Sequence, residues 1–218
     1  MLDYLNWSSP AAALESMRRL RLFRKVSGHT LVSRAKLNAL CSIAAAIERE
    51  RIDGAIVECG VFKGGAAALL AHETGGRRDI FLFDSFEGLP PPGSQDGSIA
   101  QEQFRDGWCA STIDDVRAVF RRLGVLNERV HPVKGWFHDT FPATQVPPIA
   151  LLHVDADWYE SVRLAIDAFY DRIVPGGFVV FDDYGRWQGC TRAVDEFLAA
   201  RRLPPLAPTG EVGHFMRK

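Results

Sequence analysis

The apolar positions follow a helical period over the first fifty residues and then change to short continuous runs. A first helix is predicted to begin at Ser9-Pro10, because serine caps helix N-termini and proline is favoured at the first helical position. A second helix is predicted over residues 33–50, where one apolar stripe recurs at helical spacing: Leu37, Leu40, Ile43, Ala44 and Ile47. The N-terminal region therefore predicts two helices and no strand.

The pattern changes after Asp53-Gly54, a turn signal. Short apolar runs now alternate with stretches long enough for crossover helices, and they lie at residues 55–60, 79–84, 129–135, 149–157 and 177–183. These runs lack polar alternation, which is typical of parallel strands covered on both faces. Repeated strand–helix units predict a doubly wound α/β sheet with right-handed crossovers.

The C-terminal residues predict an antiparallel hairpin in place of a further parallel strand. A helix is expected from about Thr191 to Arg202, followed by an antiparallel hairpin formed by residues 205–208, a Thr209-Gly210 turn and residues 212–218. The predicted fold is thus a mostly parallel seven-stranded sheet with an antiparallel C-terminal hairpin. We treat residues 1–218 as one domain, with a helical cap at 1–52 and a Rossmann-like core at 53–218.

Composition narrows the class of protein. The chain has 218 residues and a formal net charge of −1, so bulk charge does not indicate a nucleic-acid partner. No apolar run approaches the roughly 20 residues that span a bilayer, and no secretory leader is visible. The cysteines are widely spaced without a CxxC pair, at Cys41, Cys59, Cys109 and Cys190. They are predicted to be reduced thiols of a cytoplasmic protein.

The first strand is followed by a glycine-containing turn with an unusual acid. Gly60, Gly64 and Gly65 allow backbone and a helix N-terminus to approach a ligand closely. The spacing departs from the dinucleotide fingerprint, because Phe62 stands where a second glycine would meet a pyrophosphate. Glu58, at the strand exit, would repel a pyrophosphate but could neutralise an α-ammonium group. This favours a zwitterionic amino-acid cofactor over NAD.

The second strand ends at Asp84, where a carboxylate can accept hydrogen bonds from both hydroxyls of a ribose. Glu58, Gly60 and Asp84 together therefore predict a ligand that has both an ammonium group and a ribose, and S-adenosyl-L-methionine is such a ligand. In the alternative interpretation, Glu58 and Asp84 only cap the helices that follow them.

Four further acids follow the fourth and fifth predicted strands: Asp155, Asp157, Asp182 and Asp183. The two strand ends are expected to be neighbours, and like charges so close need a neutralising group. All-oxygen ligation suits a hard cation such as Mg²⁺, which could lower the pKa of a substrate hydroxyl while one free carboxylate acts as general base. Helix capping is the alternative for individual acids, and His153 is interpreted as a satisfied core histidine.

Five ordered blocks of sequence resemble the macrocin O-methyltransferase (TylF-like) family, which methylates sugar hydroxyls of macrolide antibiotics. The blocks are residues 56–67, 82–90, 133–142, 153–161 and 181–197. The resemblance implies a class I methyltransferase fold and Mg²⁺-dependent methyl transfer from S-adenosylmethionine to a small hydroxylated acceptor, with a sugar expected.

The resemblance also implies roles for individual residues. Asp155, Asp182 and Asp183 correspond to metal ligands, and Asp157 corresponds to the general base. The predicted cofactor-binding residues are Glu58, Gly60, Val61, Gly64, Asp84, Ser85, Phe86, Trp136 and Asp155. An NAD-dependent oxidoreductase and a non-catalytic cofactor-binding protein are the alternatives.

For two regions outside the five blocks, the sequence supports only general predictions. The apolar N-terminal helices are compatible with a homo-oligomer. The insert between Pro90 and Thr112 is rich in glycine, serine and proline and is expected to form a mobile lid over the site.

Overall fold

A seven-stranded sheet forms the centre of the computed structural model, which describes residues 9–208 and 214–218. The strand order is β3-β2-β1-β4-β5-β7-β6, and β7 runs antiparallel to both β5 and β6. The strands are β1 (Ala55–Cys59), β2 (Ile80–Asp84), β3 (Val130–Lys134), β4 (Ile149–Val154), β5 (Ile173–Phe181), β6 (Ala207–Pro208) and β7 (His214–Arg217). The predicted fold class is therefore confirmed, although the predicted Thr209-Gly210 turn lies outside the described residues.

Helices connect the strands and cover the sheet on both faces. They are α1 (Pro10–Val26), α2 (Arg34–Glu50), α3 (Gly65–Glu73), α4 (Gly97–Gln103), α5 (Ile113–Leu123), α6 (Phe137–Ala143), α7 (Tyr159–Phe169) and α8 (Gln188–Arg201), with a 3₁₀ turn at Tyr170–Arg172. Both N-terminal helices begin where the sequence predicts, since the Ser9 and Ser33 side chains accept hydrogen bonds from the first turns of α1 and α2.

Two apolar layers hold the helices against the sheet. Successive residues of β1 alternate between them: Ile56 packs with α1, α2, α3 and α5, whereas Val57 packs with α6, α7 and α8. Both faces of the central strands are buried for this reason, as the unbroken apolar runs predict. The five-residue stripe predicted for α2 is buried as well.

Strand β5 differs from its prediction. It begins at Ile173 rather than Gly177, because Ile173 already pairs with Ile149 of β4 and the pairing then shifts so that Phe178 lies opposite Leu151. The intervening Pro175-Gly176 gives a turn signal in the sequence but forms an irregularity within the strand.

The helical cap lies close to the start of α3. α1 and α2 both pack on α3, and the backbone N–H of Gly65 donates a 2.8 Å hydrogen bond to the carbonyl of His29 in the α1–α2 link. A Cβ atom at Gly65 would lie 2.6 Å from that carbonyl oxygen, so glycine permits the approach. The division of the chain into cap and core stays a prediction. Within the described ranges, no helix combines the length and apolarity needed to cross a bilayer.

Candidate active site

A cavity of about 480 Å³ opens at the carboxyl ends of β1, β2, β4 and β5. This edge of an open α/β sheet is where ligands bind, and the volume is in the range of small-molecule sites. The predicted site residues that line it are Glu58, Gly60, Val61, Asp84, Ser85, Trp136, Asp155, Asp157, Asp182 and Asp183. Gly64 and Phe86 do not line it: Gly64 faces Val116 at the start of α3, and the Phe86 side chain is buried in the core.

Asp84 organises the loops that follow β1 and β2 at one end of this cavity. Its Oδ2 accepts hydrogen bonds from the backbone N–H groups of Val61 (2.7 Å) and Phe62 (2.9 Å), and its Oδ1 accepts one from Phe86 (2.7 Å). Burial raises the pKa of Asp84, and these three donors oppose that rise. The carboxylate thus joins the turn after β1 to the turn after β2, a role that the sequence analysis did not predict. Its contact with a ribose stays a prediction.

Gly60 brings the ends of β1 and β4 together. Its backbone has a φ of +87°, and a Cβ atom built there would lie only 1.8 Å from the carbonyl oxygen of Asp155. The adjoining backbone is hydrogen-bonded across the same gap, from Asp155 N–H to Cys59 O at 2.8 Å. Only glycine fits at this position.

Gly60→Ala should destabilise the protein by more than about 3 kcal/mol, because the left-handed backbone and the collision with Asp155 both oppose a side chain. The matched control is Gly124→Ala, since Gly124 has a φ of +71° but nothing within 4 Å of a Cβ atom. That variant should lose only about 1–2 kcal/mol, the cost of the backbone conformation alone. Urea unfolding measures both values, and equal losses would contradict the steric argument.

Glu58 and His153 form a buried pair beneath the cavity. Glu58 is 1% exposed, and its Oε1 lies 2.8 Å from Nδ1 of His153, which is itself fully buried. Burial lowers the pKa of His153, but the carboxylates of Asp182 and Glu58 raise it to about 10, while burial raises the pKa of Glu58. Oε2 of Glu58 has no hydrogen-bond partner within the described ranges. A buried, unpartnered carboxylate oxygen at a cavity wall fits the ammonium group of an amino-acid cofactor.

His153 differs in part from its interpretation as a satisfied core histidine. Its Nδ1 is hydrogen-bonded to Glu58, but its Nε2 lies 4.0 Å from Oδ1 of Asp182, beyond hydrogen-bond distance. The residue is in the core as expected, and it lies between Glu58 of β1 and the acids that follow β4 and β5.

Three carboxylates converge beside His153. One oxygen from each of Asp155, Asp182 and Asp183 can be chosen so that all three lie within 4.8 Å of one another. Burial and the charges of Asp182 and Asp183 raise the pKa of Asp155 well above its usual range, and burial and Asp182 raise that of Asp183 to about 6. Burial alone would raise the pKa of Asp182, but His153 and Lys36 lower it. This donor set of hard oxygens fits a divalent cation such as Mg²⁺.

Asp157 lines the same cavity immediately before α7. Its backbone is left-handed, with a φ of +53°, and its N–H donates a 3.2 Å hydrogen bond to Oδ2 of Asp183. Such strained conformations cost about 1–3 kcal/mol and occur preferentially at functional sites. Burial and the charge of Asp183 raise the pKa of Asp157 well above its usual range.

The capping alternative is wrong for these acids. The N-cap residues of α3, α4, α7 and α8 are Gly64, Asp96, Trp158 and Trp187, and none of these helix starts has a side-chain cap. The site acids are therefore not accounted for by helix termini.

Comparison with known proteins agrees with this geometry. The family model for macrocin O-methyltransferase (TylF) matches residues 8–218. The chain belongs to the macrocin O-methyltransferase family. It is therefore an S-adenosylmethionine-dependent O-methyltransferase, which confirms the resemblance carried by the five sequence blocks and favours neither of the alternative functions.

Individual relatives support the same assignment. The methyltransferase is 34% identical over 87% of its length to the 8-demethyl-8-(2,3-dimethoxy-alpha-L-rhamnosyl)-tetracenomycin-C 4'-O-methyltransferase of Streptomyces olivaceus, of which it covers 75%. It is 32% identical over 79% of its length to the demethyldecarbamoylnovobiocin O-methyltransferase of Streptomyces niveus, of which it covers 69%. Among solved structures, the O-methyltransferase NovP matches with a TM-score of 0.80 and 30% identity, covering 87% of this chain and 82% of that one.

Several residues that line the methyltransferase's cavity or contact its acids were not predicted from the sequence. Lys36 of α2 donates hydrogen bonds from Nζ to Asp182, and the α1–α2 link contributes residues 30–32 to the cavity wall. Trp108, Cys109 and Trp187 line it as well. One feature of the sequence could have indicated that Lys36 is buried. It lies four residues before Leu40 and seven before Ile43, so it is on the same face of α2 as these buried apolar residues.

The insert at 90–112 is folded against α7. It contains α4, and Asp96 accepts hydrogen bonds from the N–H groups of Tyr159 and Gly93, both at 2.7 Å. The indole N–H of Trp158 donates to the carbonyl of Pro90 at 2.8 Å. The insert thus forms one wall of the cavity, through Trp108 and Cys109, and its predicted motion stays a prediction.

Proposed function

We propose that this methyltransferase methylates a sugar hydroxyl of a natural product and uses a divalent cation such as Mg²⁺. The observation that carries the proposal is the convergence of Asp155, Asp182 and Asp183 within 4.8 Å, beside a cavity that also contains the unpartnered oxygen of Glu58. The relatives support the acceptor class, since the first is named for a rhamnosyl-bearing tetracenomycin.

The residues at the two ends of the cavity have different tasks. Glu58 would accept the ammonium group of S-adenosylmethionine through Oε2, held in place by its bond to His153. Asp84 fixes the adjoining loops, and Gly60 lets the ends of β1 and β4 approach each other by lacking a side chain. Trp136, from the start of α6, would contribute to the same end.

At the other end, Asp155, Asp182 and Asp183 would hold the cation. A divalent cation there would lower the pKa of an acceptor hydroxyl. Asp157 would accept the hydroxyl proton as the oxygen forms its bond to the methyl carbon. Bound S-adenosylmethionine would supply that methyl group, keep the electron pair of the broken carbon–sulfur bond on sulfur, and leave as S-adenosylhomocysteine. Holding the two reactants in line contributes much of the rate, up to about 7–11 kcal/mol in favourable systems.

The proposal is tested by methyl transfer from isotope-labelled S-adenosylmethionine to a panel of acceptors, in Mg²⁺ and in EDTA. The panel pairs L-rhamnosides and related deoxyhexosides of aromatic polyketides with the matching aglycones and with catechol. Mg²⁺-dependent methylation of the glycosides, but not of the aglycones, is the expected result. Methylation confined to catechol or to an aglycone hydroxyl would overturn the sugar assignment.

Glu58→Gln should weaken S-adenosylmethionine binding by about ten- to a hundredfold, since it removes the charge that pairs with the cofactor ammonium and keeps the acceptor for His153. Calorimetric titration of the cofactor measures the effect. Glu102→Gln, a change at an exposed glutamate of α4, is the control and should bind normally. An unchanged Kd for Glu58→Gln would exclude Glu58 from the ammonium site.

A reducing, cytoplasmic environment is part of the proposal and is supported by the free thiols of all four cysteines. Homo-oligomerisation stays a prediction.

A further inference from the structure

Lys36 is a lysine of the helical cap whose ammonium group is hydrogen-bonded to Asp182, one acid of the cluster. The residue is 9% exposed, and its Nζ donates to Oδ2 of Asp182 at 2.7 Å and to the backbone carbonyl of the same residue at 2.6 Å. Its own backbone is anchored as well, because its N–H donates to the Ser33 side chain that caps α2. A buried lysine fixed at both ends is uncommon and needs a buried partner.

The acids around the cluster outnumber the basic side chains that face them. Asp155, Asp157, Asp182 and Asp183 all line one cavity, and Glu58 lies buried next to them. The cationic groups that face them are His153, which is hydrogen-bonded to Glu58, the exposed Arg186 at the cavity wall, and Lys36. Lys36 is the one of these that bonds directly to a carboxylate of the three-acid group.

Lys36 also restricts how Asp182 can act. With Oδ2 held by the ammonium group, Oδ1 is the oxygen left for another partner, and it lies 4.0 Å from Nε2 of His153. The cap residue therefore fixes the orientation of a carboxylate that lies 146 residues later in the chain.

We propose that Lys36 supplies a counter-charge to the acid cluster in the absence of metal and competes with a divalent cation for Asp182. This inference rests on the proposed function, because it assigns that cation to the three acids. It makes the helical cap part of the catalytic centre rather than only a cover for it.

Two opposite effects follow for a variant that lacks the charge. Without metal, the carboxylates lose a compensating cation, so the protein becomes less stable. With metal, the repulsion between ammonium and cation is gone, so the cation binds more tightly. A residue that only packs against its neighbours would lower stability equally with and without metal.

The experiment compares Lys36→Met, Lys36→Gln and Lys36→Arg with the wild type. Lys25→Met, at an exposed lysine of α1, is the control. Mn²⁺ is titrated calorimetrically, and Tm is measured in EDTA and in saturating Mn²⁺. We expect the Met and Gln variants to show a lower Tm in EDTA, a larger gain of Tm on adding Mn²⁺, and a Kd for Mn²⁺ about tenfold lower than that of the wild type. Lys36→Arg and Lys25→Met should resemble the wild type.

Equal Tm gains, or a Kd that is unchanged or higher in the neutral variants, would overturn the role of Lys36 and leave the proposed function intact. Failure of the wild type to bind Mn²⁺ would overturn both. If neither neutral variant folds in EDTA, Mn²⁺ must restore folding, and lack of recovery would count against the inference.

Discussion

Asp157→Asn should lower kcat by about 10²–10⁴-fold and leave the affinity for S-adenosylmethionine nearly unchanged. An amide has the size of a carboxylate but cannot take up the proton of an acceptor hydroxyl. The left-handed backbone at this position, with a φ of +53°, is one that asparagine adopts readily. The hydrogen bond from residue 157 to Asp183 uses the backbone N–H and is retained in the variant. The substitution therefore isolates the chemistry of the side chain from its structural surroundings.

The measurement combines single-turnover methyl transfer with calorimetric titration of the cofactor. Asp167→Asn, at an exposed aspartate of α7, is the matched control and should behave as the wild type. Near-full activity of Asp157→Asn would remove the base assignment. A large rise in the Kd for Mn²⁺ would instead make Asp157 a metal ligand, which the grouping of Asp155, Asp182 and Asp183 does not predict.

The fold could be predicted because its signals are local. Unbroken apolar runs reflect strands buried on both faces, and serine hydroxyls mark the starts of α1 and α2. The start of β5 was missed for a related reason: Pro175-Gly176 gives a local turn signal, and the pairing of Ile173 with Ile149 is a long-range contact that no local pattern contains.

The convergence of the acids could be predicted in the same way. Parallel strands place their carboxyl ends on one edge, so acids at or just after the ends of β1, β2, β4 and β5 had to meet there. What each acid bonds to could not be predicted, because the partners come from elsewhere in the chain. Asp84 binds the turn after β1, and Asp182 binds a lysine from the cap. The identity of a residue is local information, whereas the partner that sets its charge and orientation is tertiary.

His153 shows this difference most clearly. In the sequence it is a histidine inside an apolar strand, for which a satisfied core position is the ordinary interpretation. In the fold, β1 and β5 flank β4, so the ring lies between Glu58 and the start of the acid cluster. The carboxylates on its two sides, Asp182 and Glu58, both raise its pKa.

Removal of the divalent cation should lower turnover by about 10³-fold or more, since stabilising a developing oxyanion is worth several kcal/mol and each 1.36 kcal/mol changes the rate tenfold. The measurement is initial rate after EDTA treatment, followed by titration with Mg²⁺ or Mn²⁺, and activity should return with a saturable dependence on the cation. Asp183→Asn should show the same loss at low cation concentration and recover in part when the cation is raised. The amide oxygen that this substitution introduces can still accept the hydrogen bond from the backbone N–H of Asp157, so the local backbone is preserved.

The comparison between the two treatments decides what the acids do. If EDTA and Asp183→Asn both abolish turnover while cofactor binding to Glu58 persists, the three carboxylates act through a cation. If EDTA-treated enzyme keeps full activity but Asp183→Asn does not, the cluster acts on the acceptor directly, and Asp183, whose pKa of about 6 lets it exchange protons near neutral pH, becomes the alternative base. That result would exclude the metal assignment and the counter-charge role of Lys36. It would leave unchanged the proposal that Glu58 binds the ammonium group of the cofactor.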